Sequence, residues 1–517
     1  MSIPTSKIKH VIVMMFENRS FDSMLGYLYK DTNNVSPLGH PFEGLTGTES
    51  NPDNDGNAIT VFPIKKEDPY AYFMPKKDPG EGFANTNFQL FGAGEPPYPK
   101  GISNNQGFVR DFEHSIDNET LEKQEEAADP LLIHKKTSDS KNSDSKYHNS
   151  DYKKWYKSSP PSGHTSEVPD LKTVQAKDIM GIYTPEMLPV LSGLAKEYAV
   201  CDHWYCSVPT ETLPNRAFTH MGTSQGYLYD EVKSYSAKSI FKNLTDHGFT
   251  WGIFGNNGNP YTVPFCQDIK IPYAKGCMTG SFEEFQTALT EKTLPSYSFL
   301  EPIWGSKGNS QHPNYNVAAG EAYLLEIYNS LKSSEYWEDT LLVITYDEHG
   351  GCYDHVTPPE NATSPPEKSK AFGFDFTRFG VRVPTVLISP WIEAGTVYRT
   401  KGDVPLDHTS LLATLEKSFD LPPLTERDKA ASDVLDVLTL SKPRTDSPLK
   451  GVIAPTANSS IKIQPNASQI QKMHAGALAE KASRETKKKV TPPYFKTDDD
   501  ATDYIKKMQD TYYRYDE

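Results

Sequence analysis

The sequence has few cysteines and no excess of basic residues. Its 517 residues include five cysteines, an odd number without a Cys-x-x-Cys pair, so we expect reduced thiols. A single surface disulfide between Cys266 and Cys277 is the alternative. The net charge of −15 argues against a nucleic-acid-binding protein, because such proteins present a basic face.

Long hydrophobic segments are also missing. No apolar run approaches the roughly 20 residues that a transmembrane helix needs. Residues 1–10 lack the basic segment and the long apolar core of a signal peptide. We therefore expect a protein that is cytoplasmic or exported without a conventional signal peptide. Any contact with a membrane is expected to be peripheral.

Residues 8–28, IKHVIVMMFENRSFDSMLGYL, begin as an apolar run and then change abruptly. Residues 11–16 do not alternate, which is typical of a strand buried on both faces of a parallel sheet. Glu17 and Asn18 follow where the strand stops, and Ser20 can cap a helix. Ligands of open α/β sheets bind at the carboxyl ends of strands. Glu17 and Asn18 are therefore candidate metal ligands, with plain turn residues as an equal alternative.

Strand-like and helical patterns alternate along the chain. Strands are predicted at residues 250–254, 296–300, 340–346 and 383–391, with another near residues 198–205. Helices are predicted at residues 186–197, 317–332 and 409–419. This alternation predicts an α/β fold with a doubly wound, mainly parallel sheet flanked by helices.

We assign residues 1–440 to one main domain with two insertions. Residues 33–107 are rich in Gly, Pro, Asn and Asp and are interpreted as loop material. Residues 114–168 have few apolar side chains to offset the entropy of ordering, so we expect a polar surface insertion. Residues 441–517 form a polar C-terminal extension with helices predicted at 468–486 and 501–512.

A second pair of acidic residues, Asp347 and Glu348, follows the strand predicted at 340–346. If the two strands are neighbours, Asp347 and Glu348 surround one point together with Glu17 and Asn18. Carboxylates packed so closely would repel one another unless a cation lay between them. A divalent cation would hold them ionised, and oxygen ligands suit Ca2+ or Mg2+, with Mn2+ as an alternative. Two unrelated turns are the competing interpretation, but the repeated pattern favours a metal site.

Two side chains are candidate nucleophiles. Thr212 precedes a helix predicted from Pro214, where the helix dipole favours an alkoxide or a phosphate, although it could serve only as a helix cap. Ser224 lies in GTSQG (222–226), which matches the Gly-x-Ser-x-Gly nucleophile elbow. That elbow requires a strand before the serine, whereas the preceding residues are predicted to be helical.

Six separated motifs occur in one order: ENRSFD (17–22), TLPNR (212–216), QHPNYNV (311–317), TYDEHGGCYDHVTPP (345–359), FGVRVPTVLISPW (379–391) and DHTSLLATLEKSFDLPPLTERD (407–428). Together they resemble the phosphoesterase family of bacterial phospholipases C and acid phosphatases, and they are similar to plant non-specific phospholipases C. The resemblance spans residues 8–440 and implies an alkaline-phosphatase-like fold. It also implies hydrolysis of a phospholipid or a small phosphoester.

The resemblance implies roles for the matching residues. The residues expected to bind one divalent cation are Glu17, Asn18, Asp347 and Glu348. Thr212 is the expected nucleophile, with Thr210 as the alternative. His312 is expected to hydrogen-bond the phosphate or the leaving group. His355 is included in the catalytic set, with Asp354 in a position to orient it.

Other matched side chains carry weaker expectations. Arg19, Arg216 and Arg382 are expected to form structural salt bridges, because a buried arginine is more often paired than bound to phosphate. His408 lies in a family motif but has no assigned role. Some relatives contribute a histidine to the site from an early part of the chain. We can match no residue of this sequence to it.

The implied reaction is attack of Thr212 on phosphorus, expulsion of the alcohol and hydrolysis of the covalent intermediate by water. A phospholipid would give diacylglycerol and a phosphorylated head group, and the aromatic segments 69–73 and 83–91 are candidates for an apolar rim. An acid phosphatase using the same site is the nearest alternative. A lipase or esterase that uses Ser224 is a second alternative. A calcium-stabilised binding protein without turnover is a third, but the presence of all the expected metal ligands together with Thr212 argues against it.

Overall fold

The computed structural model describes residues 7–92, 103–116, 173–369, 373–461 and 466–513. Its strands are β1 (His10–Phe16), β2 (Ser50–Pro52), β3 (Ala58–Thr60), β4 (Phe62–Pro63), β5 (Gly181–Ile182), β6 (Ala199–Val200), β7 (Trp204–Tyr205), β8 (Trp251–Gly255), β9 (Met278–Gly280), β10 (Tyr297–Glu301), β11 (Thr340–Tyr346), β12 (Val386–Ile388), β13 (Thr396–Val397) and β14 (Leu406–Asp407).

The α-helices with defined ends lie around these strands. They are α1 (Phe21–Leu25), α2 (Phe83–Phe91), α3 (Pro189–Glu197), α4 (Thr212–Met221), α5 (Ile240–Asp246), α6 (Thr262–Phe265), α7 (Phe282–Thr290), α8 (Val317–Lys332), α9 (Thr409–Phe419), α10 (Glu426–Ala430), α11 (Gln469–Thr486) and α12 (Asp498–Tyr513). Residues 108–116 are helical as well.

The main sheet has eight strands in the order β13-β6-β12-β11-β1-β10-β8-β9. Strand β12 runs antiparallel to β11 and β6, whereas the other neighbours in the sheet are parallel. Helices flank this sheet, so the predicted α/β fold with a mainly parallel sheet is confirmed. The two strands that precede the acidic pairs, β1 and β11, lie side by side at its centre.

The predicted strand at 383–391 is shorter than expected. Only Val386–Ile388 pairs in the sheet, because Pro384 and Pro390 flank it and proline has no N–H to give to a neighbouring strand. The strand predicted near 198–205 is also divided. Its first part is β6 of the main sheet, and its second part, β7, pairs with β14 in a separate two-stranded sheet.

The segment interpreted as loop material, residues 33–107, contains regular structure. Strands β2 and β3 form an antiparallel hairpin, and Asp53 closes its turn by accepting from the N–H groups of Asp55 and Asn57. Farther along, the chain forms α2. Tyr72, Phe73 and Phe83 are buried in the interior and cannot supply an apolar rim. Tyr70, Phe88 and Phe91 of the same segments are partly exposed, so the expectation is wrong only for the buried side chains.

The C-terminal extension contains both predicted helices, α11 and α12, and they pack on each other. Helix α12 begins three residues earlier than predicted, because Asp498, Asp499 and Asp500 favour a helix N-terminus. Ile470 and Ile505 join the main hydrophobic core. Within the described ranges, no helix is both long and apolar enough to span a membrane. The polar insertion predicted at 114–168 lies outside the described residues beyond residue 116.

All five cysteines are free thiols, as expected for reduced residues. Burial raises the pKa of Cys201, Cys206 and Cys266 well above the ordinary value, so these thiols stay protonated. The alternative disulfide between Cys266 and Cys277 is wrong.

Candidate active site

The predicted metal ligands meet at the carboxyl edge of the two central strands. Strands β1 and β11 pair in register up to Phe16 and Tyr346, so Glu17 and Asp347 leave the sheet side by side. Asn18 adopts a left-handed conformation with φ 55°, and its backbone N–H donates to Asp347 Oδ1 at 2.9 Å. The N–H of Glu348 donates to the same oxygen at 2.8 Å.

Burial and the repulsion between neighbouring carboxylates raise the pKa values of two acidic side chains at this edge. Burial raises the pKa of Glu17 to about 7, with the charge of His312 opposing the shift and that of Asp347 adding to it. Burial, followed by the charges of Glu81 and Asp347, raises the pKa of Glu348 well above its usual range. Among the described residues, Glu17 Oε2 and Glu348 Oε1 are buried without a hydrogen-bond partner. Such oxygen donors fit a hard divalent cation.

Asp347 is anchored from two sides. Arg216 Nε donates to Asp347 Oδ2 at 3.0 Å, which makes the expected structural salt bridge. His408 Nε2 donates to the Asp347 backbone oxygen at 2.6 Å, and Trp204 Nε1 donates to His408 Nδ1. Burial lowers the pKa of His408, so its ring is neutral with the proton on Nε2. His408 therefore positions the Asp347 backbone.

Thr212 lies opposite Asn18. It is the first residue of α4, one position farther into the helix than expected, and is 3 % exposed. Its hydroxyl donates to Asn18 Oδ1 at 3.4 Å. The side chain of Asn215 fixes the loop before the helix through bonds to Val208 and to the Thr210 carbonyl. The TLPNR motif thus places the threonine hydroxyl at the edge of the acidic site.

The start of α4 also contacts the C-terminal extension. Asp230 Oδ1 accepts from the N–H of Leu213 at 2.8 Å. Gln469, the first residue of α11, donates to the other Asp230 oxygen at 3.0 Å. Asp230 therefore connects the extension to the backbone immediately after Thr212.

The two alternative nucleophiles have other partners. The Thr210 hydroxyl donates to the Leu228 carbonyl at 2.5 Å. Ser224 donates to the Tyr227 carbonyl at 2.7 Å and follows the C-terminal end of α4. Because a helix and not a strand precedes Ser224, the structural context that a nucleophile elbow requires is missing.

His312 lies beside the acidic edge. Its Nδ1 is 3.0 Å from the Pro313 carbonyl oxygen and 3.9 Å from Asp78 Oδ1. Arg19 donates to the backbone oxygens of Gln311 and His312, so this arginine has the expected structural role in holding the loop. Its partners are carbonyl oxygens, not the carboxylate of the expected salt bridge.

Two acidic residues of the site come from the segment interpreted as a loop. Ligand atoms of Asp78, Glu81 and His312 lie within 4.8 Å of one another. Asn18 Nδ2 also donates to Glu81 Oε2. The only signal in the sequence is the short stretch DPGEG (78–82), in which acidic residues alternate with Pro and Gly and no periodicity marks a face.

A family model described as the phosphoesterase family matches residues 8–422. The chain belongs to the phosphoesterase family. It is 33 % identical over 463 residues to non-specific phospholipase C1 of Arabidopsis thaliana, covering 86 % of this chain and 73 % of that protein. It is 29 % identical over 283 residues to phospholipase C A of Mycobacterium tuberculosis, covering 47 % and 52 % of the two chains. This phosphoesterase is therefore a phosphoric ester hydrolase.

Among solved structures, this phosphoesterase is similar to a protein of the alkaline phosphatase superfamily from Vibrio parahaemolyticus. The TM-score is 0.30 and the identity 14 %, with 49 % of this chain and 64 % of that chain covered. For the phosphonate monoester hydrolase of Agrobacterium radiobacter, the TM-score is 0.32 at 14 % identity, with coverage of 50 % and 74 %.

His355 of this phosphoesterase has different partners from those expected. Its Nδ1 lies 2.6 Å from Asp22 Oδ2, and its Nε2 lies 3.8 Å from Glu43 Oε1. The expectation that Asp354 orients this ring is wrong, because Asp354 Oδ1 accepts from Arg382 Nε at 3.0 Å. Arg382 also pairs with Asp22, so one guanidinium bridges the carboxylates of Asp22 and Asp354.

We expect His355 to make stability depend on pH. Burial would lower the pKa of His355, but the charge and hydrogen bond of Asp22 outweigh it and raise the pKa to about 10. The stabilisation is fully present below the unfolded-state pKa of about 6.5 and is lost as pH rises through about 10. Relative to His355→Gln, the wild type should lose on the order of 3 kcal/mol of unfolding free energy across that window. Urea unfolding at pH 7 and pH 10 measures this difference, and an equal difference at both pH values would contradict it.

Proposed function

We propose that this phosphoesterase is a phospholipase C-type diester hydrolase that cleaves glycerophospholipids such as phosphatidylcholine. The products would be diacylglycerol and a phosphorylated head group. The observation that carries the proposal is the Thr212 hydroxyl, which faces Asn18 Oδ1 at the same edge as three buried carboxylates, Glu17, Asp347 and Glu348. The names of the relatives, non-specific phospholipase C and phospholipase C, support the substrate class.

Four residues would hold one divalent cation, Ca2+ or Mg2+: Glu17, Asn18, Asp347 and Glu348. The unpartnered oxygens Glu17 Oε2 and Glu348 Oε1 support this assignment, because buried carboxylate oxygens without partners are costly. When bound, the ion would supply Lewis-acid stabilisation of phosphate charge and would keep the carboxylates ionised.

The protein's own groups would carry the reaction in two displacements. Thr212 Oγ1 attacks phosphorus in line and gives up its hydroxyl proton, and the diacylglycerol oxygen leaves and takes up a proton, so that the number of protons is unchanged. Water then attacks the threonine ester, which releases the phosphorylated head group and restores the Thr212 hydroxyl. His312 would donate a hydrogen bond to the phosphate or to the leaving oxygen. The N-terminus of α4 favours the negative charge that develops beside Thr212.

An acid phosphatase that uses the same residues is the second candidate. The observation that favours it is the burial of Tyr72 and Phe83, which removes these aromatic side chains from any rim that would receive acyl chains. A phosphomonoester needs no such rim.

The products of phosphatidylcholine hydrolysis distinguish these functions. Wild type and Ser224→Ala are incubated with phosphatidylcholine and, separately, with p-nitrophenyl phosphate, each with and without a chelator. Diacylglycerol on thin-layer chromatography, formed by both proteins and lost with chelator, is the expected result. Turnover of p-nitrophenyl phosphate alone would support the acid phosphatase. Free fatty acid that persists with chelator and disappears in Ser224→Ala would contradict both.

A further inference from the structure

Glu81 lies in the short loop before α2 and is 1 % exposed. Side chains of α2 hold this loop. The Thr86 hydroxyl donates to the Glu81 carbonyl at 3.2 Å, and Gln89 Nε2 donates to the Gly80 carbonyl at 2.6 Å. Gln89 Nε2 also donates to Asp111 in the helical segment 108–116. The position of Glu81 is therefore fixed by neighbouring elements.

The same loop packs against the turn that follows Glu348. Gly351 has φ 64°, and a Cβ atom there would collide with the Gly80 carbonyl oxygen. This close approach brings the loop beside the second acidic pair. The loop that carries Glu81 therefore lies beside both the Asn18 side chain and the turn after Glu348.

The contact with Asn18 determines which way its amide faces. An ionised carboxylate only accepts hydrogen bonds, so the Asn18 amide must turn its NH2 group towards Glu81 Oε2. The amide oxygen is then directed to the opposite side, where it accepts from the Thr212 hydroxyl at 3.4 Å. With the amide rotated by half a turn, the NH2 group would take that place, and an NH2 group cannot ligate a cation.

We propose that Glu81 is a positioning residue for the divalent-cation site, holding the Asn18 amide so that Oδ1 faces Thr212 and the ion. This inference rests on the proposed function, because it assumes that Asn18 is a ligand. Partners that orient a metal ligand typically contribute 10- to 100-fold to metal affinity or activity. The competing explanation is that Glu81 binds the ion directly with Asp78 and His312, whose ligand atoms lie nearby.

Replacement of Glu81 by glutamine or leucine separates these explanations. Glutamine keeps an oxygen that accepts from Asn18 Nδ2, but it loses the charge and gains an NH2 group that also allows the reversed pairing, whereas leucine has no group that pairs with the amide. Protein freed of metal by chelator is titrated with CaCl2 and with MgCl2 in a calorimeter, and circular dichroism checks the fold. Glu67→Gln is the matched control, because Glu67 is exposed in the same segment. Glu81→Ala replaces the leucine variant should that variant fail to fold.

The expected result is a Kd that rises about 10- to 100-fold in Glu81→Leu and clearly less in Glu81→Gln, which retains an acceptor for Asn18 Nδ2. The ion concentration that gives half-maximal hydrolysis should shift by the same factor. Wild-type affinity in both variants would overturn the inference. Equal losses in both would also overturn it, because charge or direct ligation would then explain the effect. A wild type that binds neither ion would instead contradict the proposed function.

Discussion

Replacing Thr212 by alanine is expected to lower kcat for phosphatidylcholine hydrolysis on the order of 10⁴-fold or more. The variant loses the only atom that is proposed to bond to phosphorus, and loss of a nucleophile typically has effects of this size. The fold should be unaffected, because among the described residues the Thr212 side chain makes a single weak hydrogen bond, at 3.4 Å, to Asn18. Steady-state kinetics by diacylglycerol release, together with thermal unfolding, measure both quantities.

Matched variants show whether this effect is specific. Thr212→Ser keeps a hydroxyl and should retain measurable turnover. Thr210→Ala should cost about 1 kcal/mol of stability through its lost bond to Leu228, with kcat near that of the wild type. Full activity in Thr212→Ala, or complete loss in Thr210→Ala, would show that the nucleophile has been assigned to the wrong residue.

Replacing Asp347 by alanine should abolish activity and also destabilise the fold. Arg216, 3 % exposed, would lose its partner at 3.0 Å, and an unpaired buried charge costs about 3–5 kcal/mol. Relief of repulsion between Asp347 and Glu17 opposes this loss. That relief is the smaller contribution near neutral pH, because Glu17, with a pKa of about 7, is itself partly protonated there. Urea unfolding gives the free-energy difference.

The double variant Asp347→Ala, Arg216→Met is the control for this effect. Because it removes both charges, it should recover most of the stability while remaining inactive. The activity of the wild type, by contrast, should disappear with chelator and return with added Ca2+ or Mg2+. Wild-type stability in the single variant would mean that the Arg216 pair contributes little, and wild-type activity would exclude Asp347 from the site.

The positions of Glu17 and Asp347 followed from continuous apolar runs. Residues 11–16 and 340–346 have no polar face, and their short length and β-branched residues favour a strand covered on both sides over a buried helix. Helices α8 and α9 were predicted with their observed bounds, because their apolar positions recur at helical spacing. These local patterns were sufficient to place the acidic pairs at one edge of an α/β sheet.

Contacts between distant segments could not be predicted in the same way. Glu81 reaches Asn18 across 63 positions of the chain, and its own segment carries no periodic pattern. The partner of His355 was expected to be its neighbour Asp354, yet Asp22 holds the ring from α1. In both cases the decisive partner is set by how loops pack on the sheet, which composition and spacing do not encode.

The stereochemical course at phosphorus tests the central claim most directly. Phosphatidylcholine made chiral at phosphorus with sulfur is hydrolysed in water enriched in oxygen-18, and the configuration of the released head group is determined. Two in-line displacements through Thr212 each invert the configuration, so the account predicts overall retention. Inversion would show a single attack by water and would contradict a threonine nucleophile.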